Sequence, residues 1–184
     1  MNDFFLSFQI FTPRRVSPSL KMVVNKAYGP MNHVVNKAMW EDCKAGNVEE
    51  VRRALESGAD PNSHEESWTY SSTCLMIASE ENHGEVVSLL LEQPTIEVNM
   101  VGPHDETALH LTCLYNKEAA LRRLLSAPGL EMNGLYSGQF TPIMFAVGHG
   151  NLECVRLLSA VAEVDLDCKF SYYMTHVNQS LEER

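Results

Sequence analysis

Cysteine is scarce in this chain and never arranged as Cys-x-x-Cys: Cys43, Cys74, Cys113, Cys154 and Cys168 are odd in number and widely spaced. That spacing argues against a disulfide framework and a paired-cysteine zinc site, and it points to a reducing compartment, cytoplasmic or nuclear. Long apolar runs are missing as well. Phe4 to Phe11 is too short to span a membrane and has no small-residue cleavage site after it, so neither a membrane span nor a secretory signal is expected. Acidic side chains are absent from residues 4–40, a stretch that includes Arg14 and Arg15, and a mitochondrial transit segment is the alternative reading there. Basic side chains are scarce beyond it, with nine Lys and Arg against 23 Asp and Glu from residue 41 on. A surface of that sign argues against nucleic acid as a ligand and favours a protein partner with a neutral or basic surface. Catalytic signatures are missing too: no GxSxG, no Walker loop, no HExxH and no GxGxxG after a strand. No enzyme and no cofactor are expected.

What the chain does have is a period. Thr73, Thr107, Thr141 and Thr175 stand 34 residues apart, and the first three each open a similar string of residue types. Self-similarity at such a period marks a solenoid, in which each unit buries its apolar face by stacking on its neighbours. A threonine before an apolar periodic run is a helix N-cap, and Pro142 is preset for a first helical turn. Small residues five positions on, Ala78, Thr112 and Ala146, allow close approach of neighbouring first helices. The Val and Leu pairs that follow make the stripe of a second helix, ended by Gly58 or by Pro94 and Pro128. Between the two helices stand Gly46-Asn47, Asn82-His83, Asn116-Lys117 and Gly150-Asn151. Asn takes the left-handed backbone shape nearly as well as Gly, so the same turn is expected in all four units.

These strings resemble the ankyrin repeat, with its T-P-L-H-x-A opening and G-A-D-x-N close. Thr107-Ala108-Leu109-His110-Leu111-Thr112, Thr141-Pro142-Ile143-Met144-Phe145-Ala146 and Gly58-Ala59-Asp60-Pro61-Asn62 carry the resemblance. His110 keeps the histidine that Met76 and Met144 replace, and is expected to be a packing residue. The implied fold is all-α: an ankyrin-like helix-turn-helix solenoid with projecting β-hairpin-type loops, four repeats plus a partial fifth. Residues 1–36 form an N-terminal extension, partly disordered or helical, in which Val23 to Ala27 recurs as Val34 to Ala38. Residues 37–168 form the array, in units of about 37–66, 67–102, 103–136 and 137–168, with extra residues inserted within Ser63 to Ser72. Residues 169–184 begin a fifth repeat or act as a cap.

The resemblance implies a non-catalytic adaptor or scaffold, a monomer that binds a protein partner through loop tips and the inner-helix face. Carried over residue by residue, the tips are Trp68, Tyr70, His104, Asp105, Tyr136, Gln139 and Phe140, and the inner helix contributes Glu80, Glu81, Leu114, Tyr115 and His149. Aromatic side chains on a loop suit an interface hot spot, although Phe140 and a tyrosine could instead pack between loops. Asn99 and Asn133 resemble the asparaginyl hydroxylation sites of such arrays, which makes the chain as a hydroxylase substrate the alternative; a fragment of a larger regulatory protein is another. His83, His149 and Cys154 lack any short metal-binding spacing, and no metal is expected.

Overall fold

The computed structural model describes residues 29–64, 72–137 and 139–166, with side chains from residue 34 on. Among these residues there are eight helices in four pairs: α1 (Gly29–Ala45) with α2 (Val48–Glu56), α3 (Cys74–Glu80) with α4 (Gly84–Leu91), α5 (Ala108–Leu114) with α6 (Glu118–Leu124), and α7 (Pro142–Gly148) with α8 (Leu152–Ser159). Helix α1 begins at the Gly29-Pro30 step, where proline fits a helix start. It therefore runs through residue 37, the boundary expected for the array. The compact unit that contains the repeats begins at Val35.

Each of the three later units starts where its threonine predicts. Thr73, Thr107 and Thr141 are extended, and the helix follows at once. The Thr73 hydroxyl accepts from Met76 N–H at 3.2 Å, while Thr107 N–H donates to Nδ1 of His110 at 3.2 Å. In α7 Pro142 opens the first helical turn directly after Thr141. The middle turns persist as expected: Gly46, Asn82, Asn116 and Gly150 have φ of 75°, 66°, 55° and 69°. After α2, Gly58 at φ 94° lets Ala59 N–H reach Ala54 O at 3.0 Å, ending that helix in a left-handed cap.

Stacking follows two rows. The first helices α3, α5 and α7 pack on one another in order, and the second helices α2, α4, α6 and α8 do likewise. Ala78, Thr112 and Ala146 are fully buried in the first row, the close approach their size allows. One apolar cluster joins Met39, Trp40 and Cys43 of α1 to Met76, Leu90 and Leu124, and a second joins Leu109, Leu121, Ile143 and Leu158. Trp40 Nε1–H donates to Ser72 O at 2.8 Å, so the buried indole is satisfied.

Two of the three loops between pairs carry an isolated antiparallel bridge, His64 with Thr73 and Tyr136 with Phe140, the hairpin character expected, and the described loop before α5 carries none. The insertion within Ser63 to Ser72 is closed at its base by Cys74 N–H donating to Ser63 O at 3.0 Å. Its tip, with Trp68 and Tyr70, lies outside the described residues, as do Cys168, the expected fifth unit at 169–184 and the first copy of the N-terminal duplication.

Candidate functional site

The loop before α5 is a tight turn. Gly102 N–H donates to Glu106 O at 2.8 Å, Asp105 N–H to Gly102 O at 3.1 Å, and His104 N–H to the Glu106 carboxylate at 2.7 Å. A Cβ at Gly102 would fall on the Glu106 carboxylate, so the glycine leaves room for this carboxylate over the turn. The next loop is tied to it, because Ser137 N–H donates to His104 O at 3.0 Å. These two tips and the C-terminal turns of α3 and α5 enclose a cleft of about 300 Å³.

Five of the expected partner-binding residues line that cleft together: Glu80, His104, Leu114, Tyr115 and Tyr136. Ser72, Pro103, Glu106 and Leu111 line it as well and were not foreseen. Among the other expected residues, Glu81, Asp105, Gln139 and His149 are exposed. Phe140 is half-buried with its ring 5.7 Å from Phe145, and Tyr136 meets Phe145 edge-on at 5.1 Å. Both rings therefore pack against Phe145 of α7, Tyr136 while also facing the cleft. His149 caps α7, with its ring 6.1 Å from Phe145.

The electrostatics of the two faces differ. Among the described residues the ion pairs lie on α2, α6 and α8, where Arg52 and Arg53 meet Glu49 and Glu50, and Arg122 joins Glu118 to the Glu153–Arg156 pair. None of them uses Glu80 or Glu106. Burial, with Glu81 and Glu106 nearby, holds the Glu80 carboxyl above its usual range, and Lys117 and Lys44 only partly offset this.

His110, 1% exposed, stands behind the cleft with its ring 6.2 Å from that of Tyr136. Its Nδ1 accepts from Thr107 N–H, so Nε2 carries the proton and faces Gly134 O at 3.0 Å and Phe140 O at 3.2 Å. Burial depresses its pKa, and the imidazole is a neutral brace between units, the packing role expected of it.

Asn99 and Asn133 have a structural task. Asn99 Nδ2 donates to Gly129 O at 2.8 Å and its Oδ1 accepts from Glu131 N–H at 2.9 Å. Asn133 does the same with Glu163 O and Asp165 N–H, and Asn62 with Thr95 O and Glu97 N–H. Each carboxamide thus ties its loop to the corresponding loop of the next unit. Cys43, Cys74, Cys113 and Cys154 are buried free thiols. The neighbouring Cys74 and burial push the Cys43 thiol up while Cys43 lowers Cys74 in turn, and burial raises Cys113 and Cys154, the reverse of what a reactive thiolate needs. No group of three metal-ligating side chains forms among the described residues.

Four stacked helix pairs, left-handed middle turns and loops laced by equivalent asparagines define a helix-turn-helix repeat solenoid. The chain belongs to the ankyrin-repeat family, whose model, "Ankyrin repeats (3 copies)", matches residues 39–133 and 96–170. It is similar to mouse SMC5-SMC6 complex localization factor protein 1, 39% identical over 80 residues, which is 43% of this chain and 7% of that protein. It is also similar to human transient receptor potential cation channel subfamily A member 1, 32% identical over 116 residues, 63% of this chain and 10% of the channel. Yeast target of rapamycin complex 2 subunit AVO2 is 25% identical over 95 residues, 52% of this chain and 22% of its own length. The chain thus spans less than a quarter of each of these relatives.

Proposed function

We propose that this chain is a non-catalytic adaptor or scaffold unit that docks a protein partner on its first-helix face and loop tips. The observation that carries the reading is the cleft at which residues from α3, α5 and two successive loops converge, with Tyr115 48% exposed and flanked by Glu80 and His104. An exposed tyrosine beside a partly desolvated carboxyl suits an interface hot spot. The excess of acidic side chains favours a partner with a neutral or basic surface. A monomer acting in the cytoplasm or nucleus fits the buried free thiols, and no described helix is long and apolar enough to cross a membrane.

The test is capture of proteins from cell lysate by the wild-type chain and by a Leu114→Ala, Tyr115→Ala, Tyr136→Ala variant of unchanged helicity. A protein held only by wild type supports docking on this face. Equal capture by both places binding elsewhere and ends the proposal.

Asparaginyl hydroxylation of Asn99 and Asn133 is a second proposal, favoured by their equivalent positions in successive loops. Both carboxamides are engaged, so a hydroxylase would first have to release those bonds. An intact mass without a one-oxygen gain after incubation with such an enzyme would end it.

A further inference from the structure

Resting on that docking reading, we infer that the cleft between α3, α5 and the two loop tips takes an arginine side chain from an extended basic segment of the partner. The first reason is the distribution of charge. Arg52, Arg53, Arg122 and Arg156 are paired to glutamates on the second-helix row, while the cleft keeps Glu80 and Glu106 outside every such pair. An arriving guanidinium would give these carboxylates a direct partner, where Lys44 and Lys117 offset the Glu80 charge only in part.

The second reason is geometry. Glu106 is held in place by His104 N–H at 2.7 Å and by its seat over Gly102, so little ordering is left for a ligand to impose. Glu80 comes from a different element, the last turn of α3, and the rings of Tyr115 and Tyr136 complete the lining. A planar guanidinium can stack on a tyrosine face while its fork of N–H donors meets carboxylates, whereas a lysine ammonium is a more strongly hydrated point charge.

The third reason is desolvation. Burial and the neighbouring Glu81 and Glu106 make the Glu80 charge costly in the unbound chain, and a bound cation relieves that cost. The pairing is consequently favourable in the cleft, although an exposed pair of the same residues would contribute little.

The experiment titrates three blocked pentapeptides, Gly-Gly-X-Gly-Gly with X as arginine, lysine or citrulline, into the isotope-labelled full chain and follows backbone amide shifts. Citrulline keeps the shape of arginine and removes its charge. The arginine peptide is expected to shift the amides of Glu80, Glu106, Tyr115 and Tyr136, and the citrulline peptide to bind at least about tenfold more weakly. Added salt and Glu80→Gln should each weaken the arginine peptide by about fivefold. Glu80→Gln is the deciding variant, because Glu106→Gln would also disturb the loop tip.

Equal shifts from arginine and citrulline, no cleft shifts at about 5 mM arginine peptide, or unchanged binding to Glu80→Gln would each overturn the inference. Arginine selectivity lost while partner capture still depends on Leu114, Tyr115 and Tyr136 sinks the pocket alone. Arginine selectivity retained while capture ignores those residues sinks the docking reading instead.

Discussion

Replacing Asn99 by alanine removes a bridge between two successive loops without touching the apolar core. The Asn99 carboxamide makes two bonds of good length, 2.8 Å to Gly129 O and 2.9 Å from Glu131 N–H, and it lies at a partly exposed site. Each such bond contributes about 0.5–1.5 kcal/mol net, so Asn99→Ala should cost about 1–3 kcal/mol. Water can reach the freed groups, which favours the lower half of that range. Asn99→Asp keeps the acceptor, loses the donor and places a carboxylate near Glu97 and Glu131, so it should cost at least as much at neutral pH. In a solenoid, stability is a sum of unit and interface contributions, and a weakened central interface should also broaden the unfolding transition. Urea denaturation followed by circular dichroism measures both. A stability change below about 0.5 kcal/mol for Asn99→Ala would refute the reasoning, since that is the size of an ordinary surface substitution.

Three further outcomes follow from the same structure. Leu124 is fully buried where the α6 stripe meets its neighbours, so Leu124→Asp should abolish cooperative melting, because a lost side chain and a buried charge together exceed a domain's marginal stability of about 5–15 kcal/mol; an unchanged melt would contradict the stacking. His110 has a depressed native pKa, so below about pH 6.5 the unfolded chain binds a proton that the native chain refuses. Stability is therefore kept above that pH and lost as pH falls toward the native value, by at most about 1.4 kcal/mol per pH unit, and His110→Gln should flatten the slope of melts taken between about pH 7.5 and 5. Asn116 sits at φ 55°, so Asn116→Gly should leave stability within about 0.5 kcal/mol of wild type, whereas Asn116→Val should cost about 1–2 kcal/mol or more, as read by the same denaturation.

The repeat architecture was readable in one dimension because its signals are local. A threonine cap, a five-residue step to a small side chain and an apolar stripe act within one helix pair, and the left-handed turn at Asn82 and Asn116 depends on the residue itself. The start of α1 was less so, since the fully buried residues begin at Met39, and of the earlier side chains Val35 is half-buried against the core while Val34 is exposed. The clasp made by Asn62, Asn99 and Asn133 escaped because its partners stand 30 to 35 residues away, and only unit-to-unit stacking brings them within reach.

The site was half legible for the same reason. Tyr115 and Tyr136 stand out as aromatics outside the core pattern, and both reach the cleft. Glu106 carries no such mark: one more acidic residue before a threonine, it becomes a wall of the cleft only through the turn at Gly102. Phe140 and Gln139 belong to the same loop tip but do not line the cleft, since Phe140 folds back against Phe145.

The central claim, that a partner docks on the first-helix face, is tested most directly by site-specific photo-crosslinking in cell lysate. A benzophenone side chain would be placed in turn at Tyr115, beside the cleft, and at Arg123, exposed on the second-helix row. The account predicts a crosslinked partner from position 115, competed by unlabelled wild-type chain, and none from position 123. Crosslinking from 123 with none from 115 would put the binding surface on the opposite row of helices and contradict it.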